Sequence, residues 1–402
     1  MSLRSSKRRA FVQPMSARRF STTILVVLAA VAGAALAVGA SGGLRSSAGR
    51  DRAPAGAARA PLLPPSTRRS AFGKLCDGHG SGPLVYHWPV KPFTRQHPVR
   101  GNFGDPRTIG FESIGTDGPG SAGSFTFHDG VDISAPPGTP VYPVESGFAH
   151  VLSADLVSVT TGTGRTFRYY HIKPLVSPGQ RVTVDRTLLG YVKPVVDHVH
   201  LSEIDSFRVH NPLDPGHLEP YRDRTLPTLH DLDFVTSRFS PLTPGDLHGS
   251  IRMVAEGDDL PAIPVPGHWF DFPVTPALVT WQLASGSHVI VRRTVADFRH
   301  TLLPQRDFWH VYAAGTYQNF PRFGLHFYWR RRGRYLFNVT PVPLDTRRFH
   351  NGTYRIAVSA ADTCGNRTTL VEFVRINNRS RGASRAASSG GRAARRSATA
   401  RS

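Results

Sequence analysis

The sequence predicts an all-β chain made of antiparallel sheets, and three observations lead there. Short runs rich in Val, Ile, Tyr and Phe recur, among them VDIS (131–134), TPVYPV (139–144), GFAHVLS (147–153), LVSVTT (156–161), TFRYYHI (166–172) and QRVTV (180–184). Gly, Pro and Asp break these runs at the short intervals expected of turns between strands. No stretch of the ordered part carries the three-to-four-residue apolar period of a long amphipathic helix.

The remaining composition sorts the chain into segments. With 402 residues there is room for two domains and tails. The formal charge is +21, yet it is unevenly spread. Residues 1–40 carry six basic residues and no acid, 41–70 six arginines against Asp51, and 379–402 seven arginines and no acid. Residues 71–378 are left with about +3. A nucleic-acid binder would concentrate basic residues on a folded face, so the charge argues against nucleic acid as a partner. It allows a salt-sensitive attraction of the tails to anionic cell-wall polymers or a membrane surface.

At the N-terminus, Arg4, Lys7, Arg8, Arg9, Arg18 and Arg19 precede an uncharged apolar stretch from Ile24 to Ala40. This is the anatomy of an export signal, with Val38-Gly39-Ala40 as a small-residue cleavage site. The same stretch is just long enough to serve as an uncleaved membrane anchor. Either way the chain is expected outside the cytoplasm or at the cell envelope. Residues 41–70 are Ala, Arg, Pro, Gly and Ser and read as a disordered linker, and 379–402 read as a disordered basic tail. A proline-punctuated segment, from Asn211-Pro212 to Pro220-Tyr221-Arg222, places a domain boundary near 225, giving domains 71–224 and 225–378. The second closes on Gly352–Ala360, a turn at Asp362 to Asn366, and Thr368–Ile376. That hairpin resembles the last two strands of bacterial immunoglobulin-like modules, which implies an Ig-like β-sandwich. Residues 292–335, rich in Arg, Phe and Trp, fit such a module poorly and read as an insertion or elaboration.

Three histidine segments in the first domain carry chemistry. In an extended chain, side chains two and four apart share a face. His128 and Asp132 can therefore converge, and His198 and His200 share a face opposite Val199 and Leu201. His171 ends a third strand after Tyr169-Tyr170. Two imidazoles and one carboxylate are a standard catalytic zinc set that leaves one position open, and further histidines are then free to move protons.

The order of these motifs, His128-x-x-x-Asp132, Tyr169-Tyr170-His171 and His198-Val199-His200 with Glu203, resembles the lysostaphin/LytM-type zinc endopeptidases. Asn102-Phe103-Gly104 with Arg107, Gly138–Tyr142, Ser177–Val182 and Leu188-Leu189-Gly190 fit the same framework, so the resemblance covers about 95–215. It implies a LytM-like antiparallel β domain in which His128, Asp132 and His200 bind zinc. It implies that His198 is the general base and His171 the second catalytic histidine, with Tyr169 a candidate helper. The implied substrates are peptide stems and cross-bridges of peptidoglycan. The departure is Lys193-Pro194-Val195-Val196-Asp197, where the family has a Gly/Ser-rich turn. A non-catalytic wall-binding module remains the alternative.

Cys76 and Cys364 are the sole cysteines. Outside the cytoplasm disulfides persist and free exposed thiols are liabilities. The reading is a Cys76–Cys364 bridge, against two separate buried thiols or pairing between chains.

Overall fold

A computed structural model describes residues 61–70, 73–76, 84–107, 116–117, 124–194, 196–318 and 333–378. The export or anchor segment 1–40, the linker up to 60, and the tail 379–402 lie outside the described residues. Every described residue belongs to one compact unit, 60–402. Among the described residues the sole α-helix is α1 (Phe308–Val311), and no helix is long and apolar enough to cross a membrane.

The strands that position the site and its surroundings are, in chain order, β1 (Ser66–Ser70), β2 (Val99–Gly101), β3 (Val131–Ser134), β4 (Gly147–Ser153), β5 (Leu156–Thr161), β6 (Thr166–Tyr170), β7 (Arg181–Val182) and β8 (His198–Ile204). After them come β9 (Thr228–Thr236), β10 (Ser250–Asp258), β11 (Leu278–Ser285), β12 (His288–Asp297), β13 (Gly352–Ala361) and β14 (Arg367–Ile376). The first large sheet runs β7-β4-β5-β6-β8-β3-β2, with Val209–His210 added beside β8. All its pairings are antiparallel. A second sheet runs β1-β14-β13-β11-β12, and a third pairs β9 with β10 and β10 with Leu336–Asn338 and Leu344–Asp345.

Strand β8 is buried on both faces, because it lies inside the sheet with apolar contacts below and the site above. Val199 and Leu201 point into the core beside Val131 and Ile133, all with no exposed surface. The opposite face of these strands therefore carries His198, His200 and Asp132. Gly130 has to be glycine here. A Cβ at that position would meet the Leu201 carbonyl oxygen at 2.3 Å and the His200 ring at 2.7 Å.

Two findings differ from the sequence reading. Ser66–Ser70 is not linker: it is the edge strand β1, hydrogen-bonded along β14 from Ser66 opposite Val371 to Ser70 opposite Arg367. Its polar composition suits an edge whose side chains face solvent. The Cys76–Cys364 disulfide, with Cα atoms 5.2 Å apart, anchors the chain shortly after that strand. Of residues 292–335, read as an insertion or elaboration, the described stretch 292–318 supplies shared core. Phe298, Phe308 and Tyr312 pack on Phe127 with ring centroids 5.2, 5.3 and 5.9 Å away. Gln305 accepts from the Phe127 backbone N–H at 2.7 Å and donates to its carbonyl at 3.2 Å, as a strand neighbour would. One hydrophobic core thus contains residues from both sides of position 225.

Candidate metal centre

The centre forms where β8 lies beside β3 and β6. Registry puts His200 directly opposite Asp132 on one side and Tyr170 on the other. His128 arrives from the loop before β3. Its Nε2 lies 2.8 Å from His200 Nδ1, and Asp132 Oδ1 lies 3.2 Å from each nitrogen. These residues are buried, and they form one cluster whose donor atoms all lie within 4.8 Å of one another.

Hydrogen bonds on the far sides of the rings fix which nitrogens face inward. His128 Nδ1 donates to the Asn102 carbonyl oxygen at 2.8 Å, which leaves a lone pair on Nε2. His200 Nε2 is engaged by Ser202 Oγ at 2.8 Å and Asp129 Oδ1 at 3.3 Å, which turns its Nδ1 inward. Two imidazole nitrogens and a carboxylate oxygen then crowd one point. Ligands about 2.0 Å from a tetrahedral cation would stand roughly 3.3 Å apart, close to the spacing seen. The residues present fit a divalent cation of the zinc type.

Charge around the centre is arranged to keep Asp132 ionised. Burial alone would raise its pKa, but His128 and Arg107 outweigh that and hold it well below the carboxylate range. Arg107 donates to Asp132 Oδ2 at 2.8 Å and is itself held by Gln318. Gln318 also donates to the buried carboxylate of Asp105 at 2.7 Å. Burial, followed by Arg107, lowers His128 to about 4, so its ring is neutral at physiological pH. His200 is raised to about 9, because bonds to Asp129 and Asp132 outweigh burial. A cation bound among these donors would displace that proton.

His198 and His171 stand beside the cluster, their ring centroids 4.6 Å apart. His198 Nε2 lies 3.5 Å from Asp132 Oδ1. His171 follows the last residue of β6 and has φ of 66°, which breaks the strand alternation and swings its ring toward His198. Burial lowers His171 to about 4, and burial with Arg100 lowers His198 to about 3.

The structure thus brings together all five residues singled out in the sequence, but not Tyr169. That side chain points to the opposite face, has no exposed surface, and its hydroxyl accepts from the Val144 backbone N–H at 2.9 Å. Its neighbour Tyr170 instead packs on His200, with centroids 4.9 Å apart. Strand alternation decides between the two. Glu203 also faces the core, where Tyr86, Arg165 and His217 bond it.

Arg100 is a site residue that no motif singled out. Its Nη2 donates to His198, 2.7 Å from Nδ1 and 3.1 Å from Nε2, and its Nε lies 3.7 Å from Asp197 Oδ1. Trp269 stacks 4.0 Å over the guanidinium and donates Nε1 to Asp197 Oδ2 at 2.6 Å. The departure segment before His198 therefore ends in a carboxylate that docks an aromatic from the second half of the chain. An Arg two residues before Asn102 carries no signal without Trp269, which lies 169 positions further on.

No family model matches the sequence, and no curated protein does. Among solved structures, Helicobacter pylori Csd3 is 17% identical with a TM-score of 0.23, covering 35% of this chain and 35% of its own. A zinc-containing peptidase from Vibrio cholerae is 20% identical with a TM-score of 0.23, covering 30% of this chain and 36% of its own. A mutant catalytic domain of the prophage-encoded M23 protein EnpA from Enterococcus faecalis is 21% identical with a TM-score of 0.21, covering 31% and 89%. The chain spans about a third of the length of the first two. Scores this low carry no functional weight, and the site stands on its own geometry.

Proposed function

We propose that this chain is an exported zinc metalloendopeptidase of the lysostaphin/LytM type, hydrolysing peptide bonds in the stems or cross-bridges of peptidoglycan. The observation that carries the reading is the convergence of His128 Nε2, His200 Nδ1 and Asp132 Oδ1, with the far side of each ring engaged, next to two further histidines, His198 and His171, whose rings lie against each other beside the cluster. Zinc held by these three donors would acidify a water and polarise a scissile carbonyl.

The chain's own side chains do the rest. His198, held neutral, takes the proton of the attacking water and passes it to the leaving amine. His171 orients that exchange from the other side, and Arg100 offers positive charge where negative charge develops beside His198. Residues 71–224 form the peptidase module in this reading, and 225–378 an Ig-like module that lends Trp269 and Gln318 to the site. The disulfide suits an oxidising compartment, which supports export with the segment 1–40 as signal or anchor. The basic tails would hold the protein near anionic envelope polymers.

One observation favours a second reading, a non-catalytic wall-binding module. Arg100 occupies the nitrogens of His198 under the cover of Trp269. A zymogram on purified peptidoglycan separates the two. Clearing that vanishes with chelator and returns with zinc supports the peptidase; peptidoglycan binding without any clearing at all supports the module.

A further inference from the structure

A cavity of about 560 Å³ opens on the sheet β1-β14-β13-β11-β12, apart from the sheet that carries the histidines. Its floor is a row of register partners crossing all five strands: Arg68, Thr369, Ser359, Thr280 and Thr294. At about 4.8 Å per strand, that row is roughly 19 Å long. Arg367 and Arg355 stand on the same face to either side of the row, and Arg292 closes the β12 end beside Gln282, to which it donates at 3.3 Å.

No acidic residue lines this cavity. Elsewhere in the same half Arg299, Arg334 and Arg347 each clamp a carboxylate at 2.7–2.8 Å. Here Arg355 Nε is buried without a hydrogen-bond partner. Five arginines line the cavity, and four of them, all but Arg293, share the face of the hydroxyl row. Like charges so gathered repel one another, and an anion laid between them relieves that repulsion. Guanidinium forks suit phosphate. The hydroxyl row between them suits a ligand that itself alternates charge with hydroxyls. Trp281, the aromatic of the lining, is 4% exposed and offers no surface for stacking bases.

We infer that this face binds a polyol phosphate, a phosphodiester polymer with hydroxyl-bearing repeats, laid across the strands. Phosphates sit at Arg68, Arg292, Arg355 and Arg367, and the polyol hydroxyls bond the Thr/Ser row. This site is independent of the metal centre.

The test is fluorescence anisotropy of the full chain at low salt with a labelled glycerol phosphate oligomer. Three variants are compared: a groove quadruple (Arg68→Gln, Arg292→Gln, Arg355→Gln, Arg367→Gln), a tail quadruple (Arg392→Gln, Arg395→Gln, Arg396→Gln, Arg401→Gln), and the charge-preserving pair Thr280→Val and Thr369→Val. At about threefold per exposed contact, the groove quadruple weakens binding roughly 80-fold. The tail quadruple, with the same change in charge, weakens it far less, and the Thr pair weakens it several-fold with net charge intact. Equal losses in groove and tail variants would overturn the site. So would an unchanged Thr pair, which remains decisive should the groove quadruple misfold. An oligodeoxynucleotide or polyglutamate of equal charge that bound as tightly, with the same sensitivity to the groove variants, would overturn the ligand class.

Discussion

His128, Asp132 and His200 bring their donor atoms within 4.8 Å of one another, and so do Asp223, Asp259 and Asp362 in the other half of the chain. Both clusters are buried. In the first, Arg107 lies against Asp132 and keeps it ionised, and outer hydrogen bonds aim two ring nitrogens at one point. In the second, no arginine or lysine pairs with the carboxylates among the described residues. Tyr221, Thr225 and Asn366 supply neutral hydrogen bonds instead. Burial therefore pushes Asp362 to about 7 and Asp259 well above the carboxylate range, with the neighbouring aspartates adding to the shift. Three donors in a buried cluster do not define one chemistry: the charge beside them decides whether they stay ionised or share protons.

The largest expected effect removes the first cluster's purpose. His128→Ala, Asp132→Ala or His200→Ala should lose bound zinc and, with it, peptidoglycan clearing. Metal analysis by mass spectrometry after dialysis checks this, and full zinc content in His200→Ala would overturn the ligand assignment. His198→Ala and His171→Ala should instead keep the metal and lose about 10²–10⁴-fold in turnover, the range for a general acid or base. Arg100→Gln sharpens the point. Removing a cation beside His198 raises that ring's pKa, so the acidic limb of the rate profile should move to higher pH. An unmoved limb would show that Arg100 does not act through His198.

The disulfide tests the other side of the comparison, since Cys364 lies two residues after Asp362 in the same turn. Cys76→Ser should cost about 2–5 kcal/mol, because the bridge closes a long loop. Zinc content should stay intact, because none of the ligands touches the bridge. Urea unfolding measures the first quantity. Loss of zinc in the folded variant would show that the two regions are coupled.

How much of this was readable beforehand depends on separation along the chain. His198 and His200 are two apart on β8, so strand periodicity alone put them on one face. His128, four before Asp132, lies in the loop before β3, and only the extended course of that loop brings it to the same side. The motif order then supplied the roles. His171 was placed by its motif, although its φ of 66° has no sequence mark. Tyr169, the expected helper, faces the core because strand alternation sends Tyr170 toward the site instead. Arg100 with Trp269, Gln318 with Asp105, and the aspartate cluster join residues far apart in sequence, and no local pattern announces them. Ser66–Ser70 has the composition of a linker and becomes a strand through its pairing with β14.

The smallest expected effect concerns the aspartates and is one of sign. Asp259 has a folded pKa raised above its unfolded value, by burial first and then by Asp223 and Asp362. Its neutral form therefore favours the fold. That contribution is fully present below about pH 4, the unfolded value, and is lost as pH rises through the raised folded value. The contribution of Asp362 is lost in the same sense near pH 7. Asp259→Asn fixes the neutral form and keeps an oxygen to accept the Leu260 backbone N–H, now bonded at 2.8 Å. In the presence of chelator, so that no cation replaces the protons, wild-type stability should decline from pH 4 to 8, and the variant should decline less. At pH 8 the variant should be the more stable by about 1–2 kcal/mol. The slope will not vanish, because burial also raises Asp105 to about 7 and that residue is left in place. Equal slopes in urea titrations of the two proteins would mean that Asp259 is ionised in the fold, and the contrast between the two clusters would fall.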